Sequence, residues 1–550
     1  MRAPLKSPPR IRRLSWAGLL ASAAVLGVCA QAWAAGAAPA IAPNLAAADA
    51  GAPAAPTASA AKAPDAGTPA AKAQTKPASK AAPPPKLLTH DQIKALFDDA
   101  LSEHFKGNHV DAAAGFYSYL RHTSKTDDRY EWAEHFLSLD LDALGFAQAA
   151  LEYEVFVAEE RARPEVLPDT LTHLESLIES NPYPRALVED ELLHGTDFGP
   201  LPVKQRGFVA YYQGLVDYRL GMTQWGDSRF QKVPKDSPYA AKVAYAKAVY
   251  ALIHDRKDDQ AKAQFTALAA DTAAPQELRN RALMALARLA YEAKQYQKSY
   301  DLWGEVKLPE LDPGRANIYL ERAWNLYRLK KDGEAMGLLY ALEAPSFHGV
   351  FLPDKYLLRS LIYKDLCHYL PAKRSARAFS RFFATSLRTI KERGALDGDP
   401  KLMAAALQLD DADYGDAHRL HQAVQREQER IGQYASPWND SGLTQELRRL
   451  YGLQAAETAR HEIVARDAAL RDTADKLLAE AEQLRLEDYE VGLAMYARLK
   501  RGQVVTEPAK TVTVTPDEVV YPFDGEYWND ELHDFRLFIT SRCLEQEASK

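Results

Sequence analysis

His418 and His421 stand one helical turn apart, the spacing at which two imidazoles on one helix face can share a divalent metal. Their neighbours are Arg419, Gln422 and Arg426, and no third ligand lies nearby in the sequence. His461-Glu462 is followed by Ile463-Val464-Ala465, so the second histidine of a zinc-peptidase helix is missing. The chain spells out neither a GxSxG nucleophile elbow nor a GxxxxGK[ST] phosphate loop. Its three cysteines, Cys29, Cys367 and Cys543, are too few for a disulfide scaffold or a thiolate cluster. This inventory points to a protein that is not an enzyme, with no cofactor and no metal expected.

The elements that would carry these residues begin after two unusual segments. Residues 1–34 combine a basic start (Arg2, Lys6, Arg10, Arg12, Arg13), an apolar run from Trp16 to Val28 and a small-x-small stop at Ala32-Trp33-Ala34. That is the build of a secretory signal peptide, with cleavage expected after Ala34. An uncleaved anchor, lipidation at Cys29 within Leu26-Gly27-Val28-Cys29, and twin-arginine export through Arg12-Arg13 are the alternatives. Residues 35–86 hold ten prolines, much alanine and no aromatic residue, a composition that cannot bury a core and reads as a disordered tether. Residues 87–550 then carry 58 basic against 73 acidic side chains, which argues against nucleic acid as a partner. The sequence places the protein outside the cytoplasm, in the periplasm, with membrane contact only through an uncleaved signal or a lipid.

From residue 87 to 385 a small residue is followed four positions later by a bulky one: Ala112 with Phe116, Ala149 with Tyr153, Gly226 with Phe230, Ala261 with Phe265, Ser299 with Trp303 and Ala335 with Leu339. Ala372 with Ala376 and Phe379 is a looser instance. Successive spacings are 37, 77, 35, 38, 36 and 37, so one degenerate unit is expected near residues 165–200. Each unit reads as two amphipathic helices that bury their apolar faces only by stacking on neighbours. In the clearest unit Leu286, Ala287, Tyr291, Tyr296, Ser299 and Trp303 fall on the signature positions of the tetratricopeptide repeat, which the array resembles. Arg322 departs from that pattern, standing where a core leucine is expected. The resemblance implies a curved array whose inner face receives peptides or partner helices. By register, the inner-face residues are Tyr250, His254, Arg288, Tyr291, Glu292, Trp324, Tyr327 and Arg328.

A narrower resemblance rests on Ala323-Trp324, Ala344-Pro345-Ser346-Phe347, Leu352-Pro353, Tyr356-Leu357-Leu358, Cys367-His368-Tyr369, Phe523-Asp524-Gly525-Glu526-Tyr527-Trp528 and Asp530-Glu531-Leu532. These segments are similar to exported repeat proteins of Gram-negative bacteria, including gliding and predatory ones, and imply a role in a cell-envelope assembly. An exported helical array is also similar to soluble lytic transglycosylases, which use a glutamate as general acid on peptidoglycan. Glu175-Ser176 and Glu179-Ser180 offer that family's Glu-Ser pair, but its glycine-rich stretch is missing, and the two glutamates read as a solvated helix face.

Residues 386–502 are expected to form a long helical hairpin. Ser436 to Gly442 breaks it, and a proline-free run from Leu443 to Leu499 carries Ile463, Leu470, Ala474, Leu477, Ala481, Leu484, Val491 and Met495 at coiled-coil spacing. That seam packs within the hairpin or, alternatively, drives self-association through residues 443–499. Residues 503–550 read as a small cap with a short β segment at Thr511–Thr515, extended by Val519-Val520-Tyr521, which pairs with itself or with a partner's sheet edge. Cys367 and Cys543 either bond, stapling the cap to the array, or Cys367 is simply buried mid-helix beside Leu366. The whole reads as an all-α protein: a tetratricopeptide-like α-solenoid, a coiled-coil hairpin and a cap. Its expected role is that of a periplasmic scaffold binding envelope proteins or peptides, with a peptidoglycan-cleaving enzyme and a self-assembling structural protein as alternatives.

Overall fold

The computed structural model describes residues 88–160, 163–502, 526–528 and 531–543. The expected signal peptide, the tether and the strand at Thr511–Thr515 with Val519–Tyr521 lie outside the described residues. Among the described residues the regular structure is helical throughout.

The helices come in consecutive pairs that pack against each other. α1 (His90–Phe105) lies on α2 (His109–His122), and α3 (Tyr130–Ala143) on α4 (Ala147–Glu160). α5 (Leu167–Ser180) is followed by a π-helical segment, Ala186–His194, that packs on α4 and on Val203–Arg219 instead of pairing with α5, where the degenerate unit is expected. Four more pairs follow: α6 (Val203–Arg219) with α7 (Thr223–Phe230), α8 (Tyr239–Ile253) with α9 (Asp258–Ala270), α10 (Gln276–Glu292) with α11 (Tyr296–Glu305), and α12 (Gly314–Arg328) with α13 (Asp332–Ala341). α14 (Asp354–Asp365) with α15 (Tyr369–Phe382) closes the series.

One backbone device sets the period. The first helix of each pair ends on a residue in the left-handed region: Gly107, Gly145, Gly221, Arg256, Lys294, Lys330 and Cys367. There the chain reverses through the Schellman pattern, as when Lys331 N–H donates to Leu326 O at 2.9 Å. The small residue of the second helix lies five positions beyond this turn and the bulky one nine beyond, except after Cys367, where the ninth is Ala376. That register corrects one pair. After Gly145 the two positions are Ala150 and Glu154, not Ala149 and Tyr153, so a fully buried carboxylate stands where other units place Phe116, Phe230, Phe265, Trp303 or Leu339. Ser138 Oγ donates to Ala150 O at 2.9 Å, as Ser360 Oγ does to Ala372 O at 3.4 Å, which fixes the equivalence. A left-handed lysine is strained where glycine is not, so Lys330→Gly is expected to stabilise the chain by about 1 kcal/mol, measured by denaturant unfolding.

Beyond the pairs come α16 (Ala384–Lys391), α17 (Pro400–Leu409), α18 (Asp416–Tyr434) and the 58-residue α19 (Leu443–Lys500). At 1.5 Å per residue α19 is about 87 Å long. α18 packs along its first half, and the bend between them is seated on the first two helix pairs. Trp438 is fully buried, its Nε1–H donating to Val110 O at 2.9 Å, and Arg121 donates to Ser441 O at 2.8 Å. The far half of α19 lies against α14, α15 and α17. Leu470, Leu477 and Leu484 join Leu357, Phe379, Phe383 and Leu402 in one core, and Val491 packs with Tyr369 and Ala372. The coiled-coil seam is therefore largely spent inside the chain, although Ile463 is exposed. α19 ties the first units of the array to the last.

Where the bend meets α4, Glu427 is buried and accepts from Tyr451 Oη at 2.5 Å and from the Gln148 N–H at 2.9 Å. Burial pushes this carboxyl up to about 7, with those two hydrogen bonds pulling the other way. A carboxyl raised above its unfolded value near 4.5 holds its proton more tightly in the native state, so its contribution to stability falls as pH rises from 4.5 to about 7. Glu427→Gln keeps an oxygen for both donors. It is expected to stabilise the chain at pH 8 by on the order of 2–3 kcal/mol relative to its effect at pH 4.5, read from unfolding midpoints at the two values.

The C-terminal segment runs back over the array. Leu532 is buried in the core of α12 to α14, the Leu537 N–H donates to Gly333 O at 2.9 Å, and the Arg542 N–H donates to Leu366 O at 3.0 Å. Cys367 and Cys543 form a disulfide. Cys367 is not mid-helix: it is the left-handed turn residue after α14.

Candidate functional site

The eight residues assigned to the inner face are mostly engaged in joining one unit to the next. The Arg328 Nε–H donates to Tyr291 Oη at 3.2 Å, Tyr327 Oη donates to Asp365 at 2.9 Å, and Arg288 pairs with Glu321 at 3.6 Å while lying over the Trp303 ring. The two hydrogen bonds and the ion pair each span about one repeat, while the ring contact lies within one helix pair. Tyr250 is buried between Tyr218 and His254, with ring centroids 4.8 and 4.7 Å away. Trp324 is half-buried against Tyr327, and only Glu292 and His254 are exposed. Glu175 and Glu179 are likewise structural: Tyr239 Oη donates to Glu175 at 2.8 Å, and Lys242 pairs with Glu179 at 3.3 Å.

Large apolar side chains left in water include Phe105, Trp225 and Leu311 within the helix pairs and their connections, and a regular row of four on α19. Leu486, Tyr489, Leu493 and Tyr496 are 63%, 65%, 52% and 66% exposed. They recur at intervals of 3, 4 and 3, and at 100° per residue they project about half a turn away from buried Leu484, Val491 and Arg498. The helix thus has one apolar face packed on the array and a second turned outward. Arg485 and Glu490 flank the outward row.

The second notable feature is a set of histidine–carboxylate clusters in the first units. His104 and His109 both place Nδ1 2.7 Å from Asp140 Oδ1, in the interior between α1, α2 and α3. Burial pushes Asp140 up, and the two imidazoles pull it back. Next along the array, His135 Nδ1 and His173 Nδ1 stand 2.9 and 2.7 Å from Glu154 Oε1. Burial opposes ionisation of Glu154, yet the two imidazoles outweigh it and hold the carboxyl below its usual range. Burial alone would lower His173, but Asp142 and Glu154 lift it to about 9. Either trio brings three ligand atoms within 4.8 Å of one another. A further pair, His194 Nε2 with Asp217 Oδ1 at 2.9 Å, lies in the following unit.

Sequence spacing missed these clusters because each imidazole lies 19 to 36 residues from its carboxylate, on a different helix. One signal was present: His135 and His173 are 38 residues apart, one full repeat. The pair that spacing did single out behaves differently. His418 gains a carboxylate from α19, with Nδ1 2.6 Å from Glu462 Oε1, so an acidic neighbour absent locally in sequence is present in space. Both nitrogens of His421 are taken, by Thr458 Oγ1 and by Gln425, and His418 Nε2 accepts from Gln422 at 2.8 Å. Among the described residues no helix is long and apolar enough to cross a membrane. Compared with known proteins, the chain matches no protein-family model and no curated sequence.

Proposed function

We propose that this chain is a non-enzymatic, tetratricopeptide-like scaffold, exported to the periplasm, that holds protein partners of a cell-envelope assembly. The observation that carries the reading is the outward row Leu486, Tyr489, Leu493 and Tyr496 on a helix already anchored at both ends of the array. An anchored helix offers this row with little ordering cost, and its 3-4-3 spacing is that of a helix-packing seam. The occupant is an amphipathic helix of another envelope protein. Binding is placed on the outer face of α19 rather than on the eight repeat residues, because most of those are committed to neighbouring units.

A photo-crosslinking side chain at Leu493, in cells that make the protein, tests this. A discrete adduct with a second protein is expected, absent when the crosslinker stands at exposed Glu457 and lost when Leu486 and Tyr496 are both changed to glutamate. No adduct at Leu493, or one that survives the double substitution, overturns the reading. An adduct of two copies of the chain, with a dimer in sedimentation, replaces it with self-assembly.

A further inference from the structure

We propose that His135, Glu154 and His173 form a binding site for a divalent first-row transition metal of the zinc type, built into the core between α3, α4 and α5. The argument begins with what these positions are elsewhere in the array. Glu154 stands nine residues after the left-handed turn, where other units place a phenylalanine, tryptophan or leucine and the last unit Ala376. His135 stands ten residues before its turn, where other units have Phe97, Tyr211, Ala246, Met284, Leu320 and Leu357. His173 follows His135 by one repeat. Two repeat positions that otherwise build the apolar core, one of them in two successive units, are thus polar here, and the three side chains converge. Burying a carboxylate in a repeat core costs several kcal/mol unless something compensates it.

The convergence has the form of a ligand set. Both imidazoles present the same nitrogen, Nδ1, to the same carboxylate oxygen, at 2.9 and 2.7 Å. A tetrahedral zinc with ligands about 2.0–2.2 Å away holds them about 3.3 Å apart, so small side-chain rotations open the space. Two histidines and one carboxylate are a donor set suited to zinc and its neighbours. Glu154 is fully buried, and its second oxygen, Oε2, has no hydrogen-bond partner. The other nitrogen of His173, Nε2, faces Asp142 Oδ2 at 3.4 Å, the carboxylate support that orients a metal-bound imidazole. Ser138 Oγ lies 3.3 Å from His173 Nδ1, a further oxygen at the site's edge. The Asp140 trio shares the donor types, but His109 there is one-third exposed and no second carboxylate supports either ring among the described contacts.

The test is metal binding by the full chain after chelation and dialysis, titrated with Zn2+ against a chromophoric chelator and with Co2+ by visible absorption. One tightly bound metal is expected, with the d–d bands of nitrogen and oxygen coordination. Glu154→Gln and His173→Asn, each shown to be folded by circular dichroism, are expected to weaken it by at least about 100-fold, and Asp142→Asn by about 10-fold. Asp140→Asn and Glu462→Gln are expected to leave it unchanged. No binding by the unaltered chain, binding that persists in either folded ligand variant, or binding lost instead in folded Asp140→Asn overturns the proposal. His173 is 10% exposed where Glu154 is fully buried, so its variant keeps the test open if Glu154→Gln does not fold. The scaffold reading stands or falls separately, on the crosslink at Leu493.

Discussion

Trp438→Ala is expected to destabilise the chain by about 3–5 kcal/mol and to release the bend between α18 and α19 from the start of the array. Trp438 is fully buried, stacked on Tyr434 at 4.8 Å, and packed on Phe146 at 5.6 Å, and its Nε1–H satisfies the Val110 carbonyl. Alanine would leave a cavity the size of an indole and remove the donor to the Val110 carbonyl. The contacts that remain at this end, Arg121 with Ser441 and Glu427 with Tyr451 and Gln148, sit on either side of that cavity and cannot close it. Because the far half of α19 is held independently by α14, α15 and α17, the loss should be local. Hydrogen exchange is expected to accelerate in α2, α4, α18 and the first turns of α19, and to stay unchanged in Leu477–Val491. Trp438→Phe, which keeps an aromatic ring in the pocket but not the donor, should recover more than half of the loss. Uniform exchange along α19 in the alanine variant would show that the bend is not a separate anchor.

The period of this fold was legible because it is written in steric terms. A small residue where two helices touch, and a bulky one where the next unit arrives, recur through Ala112, Gly226, Ala261, Ser299 and Ala335 regardless of what else changes. The long helix was legible for the same reason, as a proline-free apolar seam. What the seam packs against was not: Leu470, Leu477 and Leu484 meet side chains more than 60 residues earlier, and periodicity carries no address. The slip of one residue at Ala149 has a physical cause. The pattern asked for a bulky side chain and Tyr153 supplied one beside the true position, while Glu154 is not a residue that apolar patterning looks for. The same blindness hid the histidine clusters. The inner-face residues were drawn from a resemblance, and the ion pairs and hydrogen bonds that consume most of them depend on side-chain reach across units.

Gly337→Ala is expected to detach the C-terminal segment from α13, with a loss of about 3 kcal/mol in its docking, the upper end of what overpacking costs. A Cβ built on Gly337 would lie 1.7 Å from the carbonyl oxygen of Phe535 and 2.2 Å from its carbon. Those are backbone atoms, so no rotamer change relieves the contact. A Cβ built on Gly333, one turn earlier, would lie 2.7 Å from the Leu537 oxygen, and Gly333 O accepts from the Leu537 N–H, so the two glycines form a flat track on which the segment lies. Three holds keep it there: the track, the buried Leu532 side chain, and the disulfide between Cys367 and Cys543. The disulfide tethers the segment without forcing it onto the track, which separates the effects of the variants. In Gly337→Ala with the bond intact, residues 531–538 should become sensitive to protease while 540–543 stay protected by the His368 contact to Thr540 O at 2.7 Å. In Cys543→Ser alone the track and Leu532 should still hold, with only modest loss of protection. The double variant should free the whole segment, a loss larger than the sum of the two because each hold keeps the segment near the other. Full protection of residues 531–538 in Gly337→Ala would mean that α13 can shift to admit the methyl group, and that the glycine track is not what seats the segment.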